Sequence, residues 1–263
     1  MQEIILQGER LVFTEGGAGR PLVLLHAGIA DSRMWRPQFE ALGNSFHLIA
    51  PDLRGFGDSP YPNGPFAYHE DVAGLIAALD LEPAWLVGVS FGSRVALDLC
   101  LAHPDLVRGL VLVSLAVAGF DLGPEVAAFG REEDRLLENG DLQAATELNL
   151  RTWVDGPFRP AGQVDPEVRA AISEMQLRAF QATEPENAEV IALEPAAANR
   201  LDEIRIPTLI VAGELDVPAV VEQASALAEA IDGAQLQIMP GTAHMPTMEA
   251  PAVFNALLVD FVE

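Results

Sequence analysis

The chain of 263 residues contains no lysine, so all fifteen of its cationic side chains are arginine. Without a lysine amine the protein cannot form a lysine Schiff base, link to pyridoxal phosphate, or place a P-loop lysine on a phosphate. Its single cysteine, Cys100, lies in an apolar helix-like run and cannot form an internal disulfide, which suits a reducing compartment. Several cofactor-dependent enzyme classes are thereby excluded.

Motifs for metals and dinucleotides are missing as well. The sequence has no His-Glu-x-x-His, no Cys-x-x-Cys and no cluster of histidines. No Gly-x-Gly-x-x-Gly follows the first strand-like run, and the glycines of 15–19 form a turn. We therefore expect neither a metal ion nor an organic cofactor.

Positive charge is scarce relative to negative charge. The 39 acidic residues leave a net charge of −24, which should repel phosphate backbones and anionic lipid surfaces. Residues 1–3 do not open a basic region followed by an apolar stretch, and the longest apolar region, near 109–120, is too short to span a bilayer. We expect a soluble cytoplasmic protein without nucleic acid or membrane partners, and leave a homodimer open.

The hydrophobic patterning predicts an α/β protein. Glu3–Gln7 and Arg10–Glu15 alternate like an opening antiparallel pair, whereas Ala84–Val89 and Val107–Ser114 are continuously apolar, as buried parallel strands are. Parallel strands need crossover connections, which helix-like runs supply. We predict a doubly wound, mostly parallel sheet of about eight strands. Further strands are predicted at 21–25, 47–50, 207–212 and 235–239, and helices at 33–42, 68–79 and 93–102.

Residues 119–200, hereafter the insert, lack strand alternation. Helix-like runs occur instead at Glu132–Glu138, Gln143–Trp153 and Pro166–Phe180, separated by glycine and proline. We interpret the insert as a helical cap placed after the sixth strand. The α/β core would then comprise 1–118 and 201–263, all within a single domain.

The pentapeptide Gly88-Val89-Ser90-Phe91-Gly92 lies between a predicted strand and a predicted helix. A Gly-x-Ser-x-Gly sequence in that context is typical of a nucleophile elbow, whose sharp turn exposes the serine hydroxyl above the sheet edge. Small flanking residues are needed because the backbone segments pass close to one another. We predict Ser90 as a catalytic nucleophile.

A serine nucleophile needs a general base, and in this arrangement the base follows the serine along the chain. Two of the five histidines do so, His103 and His244. His103 ends the helix that follows Ser90 and is too near in sequence to fold back. His244 lies in a loop after the last predicted strand, so we predict it as the base, with an ordinary surface histidine as the alternative.

The acid that orients the base should follow the preceding strand. Gly213-Glu214-Leu215-Asp216 occupies that place, and Asp216 would accept the N–H of His244 and fix its tautomer. Glu214 and the more distant Asp121 are the rival carboxylates.

An oxyanion hole should hold the negative oxygen formed during acyl transfer. We predict one donor in the backbone N–H of Phe91 and the other in the loop after the strand at 21–25, from Gly28 or Ile29. His26, at the start of that loop, is expected to hold it through hydrogen bonds.

With these motifs the chain resembles the α/β-hydrolase fold superfamily over nearly its full length outside the insert. The glycine-rich loop 52–59 belongs to the same resemblance, and Ser32–Trp35 followed by Pro37-Gln38 resembles the 3-oxoadipate enol-lactonase and carboxylesterase-like group. Ser93 stands where those relatives usually have a further glycine. Dehalogenases and epoxide hydrolases of this fold carry an aspartate nucleophile, and Ser90 argues against both.

The resemblance implies a serine hydrolase acting on a small-molecule ester or lactone through an acyl-enzyme. Trp35, Phe120, Trp153 and Met245 are the predicted pocket residues, with ordinary core packing as the alternative for each. Two functional alternatives stay open: other triad chemistry (a C–C bond hydrolase, an acyltransferase or a cofactor-free perhydrolase) and a weakly catalytic binding module.

Overall fold

The computed structural model describes residues 1–115, 117–160 and 162–263, which form an eight-stranded sheet flanked by helices. Its strands, in chain order, are β1 (Gln2–Leu6), β2 (Glu9–Gly17), β3 (Arg20–Leu25), β4 (Phe46–Pro51), β5 (Ala84–Val89), β6 (Val107–Val113), β7 (Thr208–Gly213) and β8 (Gln235–Met239). The spatial order is β1-β2-β4-β3-β5-β6-β7-β8. β1 and β2 form the antiparallel edge, and the strands β3 to β8 run parallel to one another. The predicted fold class is confirmed.

Helices cover both faces of the sheet. A 3₁₀ turn at Ser32–Trp35 leads into α1 (Arg36–Leu42), and the other helices between strands of the sheet are α2 (Tyr68–Ala78), α3 (Phe91–Ala102) and α7 (Pro218–Ala230). The helices α8 (Pro246–Glu249) and α9 (Pro251–Val262) follow the last strand. Shorter 3₁₀ turns lie at Pro104–Leu106, Ala197–Asn199 and Leu201–Glu203. Among the described residues, no helix is long and apolar enough to cross a lipid bilayer.

The core divides between the two faces because side chains alternate along each strand. Leu86 of β5 and Leu112 of β6 pack in a cluster with α2, α3 and α7. Their neighbours Val87 and Val111 pack on the opposite face with α1 and α9. Burial on both faces explains why the central strands are continuously apolar.

The insert contains α4 (Gly123–Glu138), α5 (Leu142–Asn149), a π-helical segment (Leu150–Asp155) and α6 (Pro166–Phe180). α4 begins nine residues earlier than the predicted Glu132 start, and the predicted helix at 143–153 is divided between α5 and the π-helical segment. Glu189–Val190 forms a two-residue parallel pairing with Pro65–Phe66, which ties the insert to the loop after β4.

The two ends of the insert meet. The N–H of Ala198 donates to the carbonyl of Ala118 at 3.2 Å, and an added Cβ on Gly119 would lie 3.1 Å from the Cβ of Ala198. The chain therefore leaves the sheet after β6 and returns before β7 at two segments that are hydrogen-bonded to each other.

Candidate active site

Ser90 sits between β5 and α3 with φ 52° and ψ −111°, a conformation that L-residues rarely adopt. Its N–H donates to the carbonyl of Val113 on β6 at 2.8 Å, and its own carbonyl accepts from Arg94 in the first turn of α3. These bonds hold the strained residue at the carboxyl edge of the sheet. Backbone strain held in this way is frequent at functional sites.

The elbow needs glycine at both ends because the backbone is crowded there. A Cβ on Gly88 would lie 2.4 Å from the carbonyl oxygen of Gly92, and one on Gly92 would lie 2.2 Å from the carbonyl oxygen of Leu25. Ser93 is accommodated because its fully buried hydroxyl group is hydrogen-bonded. Its Oγ–H donates to the Gly88 carbonyl at 2.8 Å, and its Oγ accepts the N–H of Val113 at 3.0 Å. The serine thus joins the ends of β5 and β6.

His244 and Asp216 are in contact at the same edge. His244 Nδ1 lies 2.8 Å from Asp216 Oδ2, and the other carboxylate oxygen accepts the N–H of Val217 at 2.7 Å. Both side chains are buried, Asp216 completely. With Nδ1–H donated to the carboxylate, Nε2 of a neutral imidazole is an acceptor free to take a proton.

The rival carboxylates are engaged elsewhere. Glu214 is exposed and accepts the N–H of Gly241 at 3.0 Å, while Asp121 is exposed and accepts the N–H of Gly123. The loops bearing Asp216 and His244 touch closely: a Cβ on Gly213 would lie 2.0 Å from the carbonyl oxygen of Ala243. Glycine at this position therefore permits the contact between the acid and the histidine.

The loop after β3 lies against the elbow. An added Cβ on Gly28 would be 3.5 Å from the Cβ of Phe91, so the two predicted donor segments are in van der Waals contact. Phe91 opens α3, and N–H groups in a first helical turn lack intrahelical partners. Gly28 and Ile29 line the same cavity as Ser90.

His26 has a structural place in that loop. Its Nε2 accepts the N–H of Leu53 at 3.0 Å, and its Nδ1 therefore donates to the carbonyl of Ala27 at 2.8 Å. Complete burial lowers the pKa of His26, which favours this neutral tautomer. The hydrogen bonds connect the β3 loop to the glycine-rich loop at 52–59.

A cavity of about 270 Å³ contains Ser90 and His244. One side of its lining comes from the loop after β3, the elbow at 88–92 and the loop that carries His244 (residues 240–245, hereafter the base loop). The other side comes from the insert. The insert contributes Glu133, Asn149, Trp153, Gln176 and Phe180. The Trp153 ring lies 4.7 Å from the His244 ring, centroid to centroid, and its carbonyl accepts the His244 N–H.

Of the four predicted pocket residues, the described cavity lining includes Trp153 but not the other three. Trp35 and Met245 are fully buried and pack in the sheet core beside α1 and α9. Phe120 is 38% exposed and borders a different surface cavity near α7. Apolar character predicts burial, which holds for Trp35 and Met245 and not for Phe120, and it does not predict burial beside the nucleophile.

Sequence reasoning missed the polar lining residues Glu133, Asn149 and Gln176. Each lies in a helix of the insert, where a polar side chain ordinarily indicates a solvated face. One signal was available: Gln176 and Phe180 are one helical turn apart on α6 and both reach the cavity.

Among the described residues, no group of three or more histidine, cysteine or acidic side chains is arranged to hold a metal ion. What the site brings together is a strained serine, a carboxylate-paired histidine, two backbone segments that can supply N–H donors, and a cavity that joins them. Such an arrangement can support acyl transfer.

The family model for the alpha/beta hydrolase fold matches residues 20–251, and the chain belongs to this family. The family membership predicted from the motifs is thus confirmed.

Individual relatives carry hydrolase names. The chain is 31% identical to the 2-hydroxymuconate semialdehyde hydrolase of Pseudomonas sp. strain CF600, over 99% of this chain and 93% of that protein. Among solved structures it is similar to a thermophilic esterase from Thermogutta terrifontis, with 27% identity, a TM-score of 0.81 and coverage of 100% of this chain and 98% of the other. It is equally similar in sequence, at 27%, to Est816, described as an N-acyl homoserine lactone degrading enzyme, with a TM-score of 0.79 and coverage of 99% and 100%.

Proposed function

We propose that the protein is a serine hydrolase that cleaves a carboxylic ester or a lactone through an acyl-enzyme intermediate. The observation that carries this proposal is the 2.8 Å contact between His244 Nδ1 and Asp216 Oδ2 beside the cavity that Ser90 and His244 share. The esterase and the lactone-degrading enzyme among the similar structures support the same substrate class.

In the first half-reaction His244 Nε2 takes the Ser90 hydroxyl proton while Oγ forms a bond to the carbonyl carbon. The carbonyl oxygen becomes an oxyanion, which the N–H groups of Phe91 and of the Gly28–Ile29 segment stabilise. The tetrahedral intermediate collapses, the bond to the leaving oxygen breaks, and His244 protonates that oxygen. The alcohol departs; from a lactone, it stays attached to the acyl chain.

In the second half-reaction His244 takes a proton from water, whose oxygen attacks the acyl carbon. Collapse of this intermediate breaks the bond to Ser90, and His244 returns the proton to Oγ. Asp216 stays ionised throughout and stabilises the imidazolium that forms in each half. The products are a carboxylic acid and an alcohol or hydroxyl group.

The alternative with a specific observation behind it is C–C bond hydrolysis. The 31%-identical relative is named for a semialdehyde substrate that contains no ester, so its hydrolysis must break a carbon–carbon bond. Comparing kcat/KM for 2-hydroxymuconate semialdehyde and for a short-chain p-nitrophenyl ester separates the two reactions. Preference for the semialdehyde would replace our proposal with the C–C alternative.

The decisive test is the intact mass of the protein after incubation with a fluorophosphonate, on wild type and on Ser90→Ala. We expect one adduct on wild type and none on the variant. A matched carboxylate pair extends the test: Asp216→Asn should lower kcat by about 10⁴-fold because the histidine loses its orienting acceptor, whereas Glu214→Gln should change it little. No adduct on folded wild-type protein would refute the mechanism and favour a binding module.

We also propose that the protein acts in the cytoplasm on a small-molecule substrate. Cys100 is buried and present as a free thiol, in keeping with a reducing environment. Fractionation of the source cells followed by immunoblotting tests the location, and light scattering tests whether the protein is a homodimer.

A further inference from the structure

The insert contributes three polar side chains to the active cavity beside the aromatic Trp153 and Phe180, although an ester's hydrocarbon portion would be served by an apolar wall. Glu133 of α4, Asn149 of α5 and Gln176 of α6 come from three successive helices and converge on the cavity that contains Ser90. We refer to these three residues as the polar wall. No arginine is among the described residues that line this cavity.

The hydrogen bonds of Asn149 decide what the polar wall offers to a ligand. Asn149 Nδ2 donates to a carboxylate oxygen of Glu133 and, at 3.0 Å, to the carbonyl of Ala145. An amide nitrogen has two hydrogens, so both are used. Asn149 therefore has its Oδ1 acceptor, and no donor, left for a ligand.

Glu133 is also an acceptor. An ionised carboxylate has no donor, and one of its oxygens remains beyond the bond from Asn149. Among the described residues, no arginine or histidine forms an ion pair with Glu133. Burial is the main cause of a raised pKa for Glu133, which means that its negative charge is poorly compensated in the absence of a ligand.

Gln176 is the third residue of the polar wall. Its side chain is 3% exposed, lines the same cavity, and its Oε1 has no hydrogen-bond partner among the described residues. Buried amide oxygens in folded proteins ordinarily have a hydrogen-bond partner. Rotation of the amide also lets Gln176 present either its oxygen or its nitrogen.

We propose that Glu133, Asn149 and Gln176 form a subsite for a hydrogen-bond donor on the substrate, either a protonated amine or a hydroxyl, and that this subsite disfavours a carboxylate. The inference rests on the proposed function, because it names the substrate class of the same site. A donor group would satisfy Glu133 and Asn149 together, and an amine would also neutralise the buried charge. A carboxylate would place a second negative charge against Glu133 and would meet the Oδ1 acceptor of Asn149.

The test uses four methyl esters that share a six-carbon acyl chain and differ at its far end. They are methyl hexanoate, methyl 6-hydroxyhexanoate, methyl 6-aminohexanoate and monomethyl adipate, assayed at pH 8 by acid release in a pH-stat. We expect kcat/KM for the amine and hydroxyl esters to exceed that of the adipate ester by about 10-fold or more, the size typical of a hydrogen bond to a charged group. Repeating the series with five- and seven-carbon chains covers the reach from Ser90 to Glu133.

Glu133→Gln separates recognition from helix packing. The glutamine keeps an oxygen to accept from Asn149 but loses the charge, so the amine-to-adipate ratio should fall by about 10-fold. Glu138→Gln is the matched control, because Glu138 is an exposed glutamate on the same helix and should leave the ratio unchanged. Thermal melts establish that both variants are folded.

The outcomes distinguish this inference from the proposed function. Turnover of all four esters with equal or reversed preference would refute the polar-wall subsite and leave the hydrolase proposal intact, as would a ratio insensitive to Glu133→Gln. If fluorophosphonate labels nothing, the hydrolase proposal fails, and calorimetric titration of Ser90→Ala with the same esters still tests the subsite. Equal binding of the amine and adipate esters there would overturn it.

Discussion

Asp98 is a buried carboxyl group that makes the stability of this protein depend on pH. It lies on α3, 6% exposed, with Oδ1 unpartnered among the described residues and Oδ2 3.8 Å from Arg94 Nε. Burial raises its pKa to about 6. Because the folded state then holds the proton more tightly than the unfolded chain, the contribution of Asp98 to the free energy of unfolding should fall as the pH rises from about 4 to about 6.

We predict that Asp98→Asn stabilises the protein at pH 8 by about 2 kcal/mol and has much less effect at pH 4, where the wild-type carboxyl is already protonated. Urea unfolding at the two pH values measures the difference in the free energy of unfolding. Asp105→Asn, an exposed site in the following 3₁₀ turn, is the control. Equal effects of Asp98→Asn at both pH values would contradict the prediction.

The sequence restricted the choice of catalytic candidates more than the choice of pocket residues. Ser90, His244 and Asp216 could be proposed because their chain order and their positions after strands restrict the choice. Trp35 and Met245 could not be distinguished from pocket residues, since an apolar side chain is equally suited to the core. Glu133 was missed because its burial depends on how α4 packs, which the sequence of α4 does not reveal.

At the scale of elements, the short helix α8 holds the base loop. Glu249, its last residue, accepts the N–H groups of Ala243 and Met245 at 3.0 and 3.2 Å, which flank His244. Its other oxygen lies 2.7 Å from Arg159 of the insert, and both side chains are nearly buried. Arg159 also donates to carbonyls at the end of the π-helical segment, so the insert and the base loop are fixed to each other.

We expect Glu249→Ala to lower kcat by about 10- to 100-fold with little change in KM, because displacement of His244 affects proton transfer more than substrate binding. Glu249 acts here as a positioning residue, and Glu249→Gln, which retains an acceptor oxygen, should restore much of the rate. Glu229→Gln on exposed α7 surface is the control. A fall in melting temperature with unchanged kcat would assign Glu249 a purely structural role.

The strands were easier to predict than the helices of the insert. β5 has the predicted bounds because it is an apolar run, and β8 has them because Pro240 and Gly241 follow its alternating sequence. α6 begins at Pro166 after the capping residue Asp165, whose carboxylate accepts the N–H of Glu167. The π-helical segment at 150–155 has no such local signal. Its geometry depends on contacts with the base loop, which only the folded chain provides.

The net charge of −24 destabilises the folded protein by electrostatic repulsion, and salt should reduce this destabilisation. Like charges spread over one compact surface repel each other, and they separate when the chain unfolds. We expect the melting temperature to rise by a few degrees between about 10 and 200 mM sodium chloride, as the screening length shortens. Calorimetry or fluorescence melts measure the change, and a fall across this range would show that surface ion pairs outweigh the repulsion.

The junction between Ala118 and Ala198 has a consequence for how such a molecule can diversify. The chain leaves the core at Ala118 and returns at Ala198, which is hydrogen-bonded to it, so replacing the residues between them is topologically equivalent to changing one surface loop. The entropic cost of closing a loop rises only slowly with its length. An exchanged segment would bring a new wall to the cavity, and it would have to replace the contacts that Arg159 and Trp153 make with the base loop and with Glu249. Proteins of this architecture can therefore change their substrate range while the core keeps the same catalytic residues.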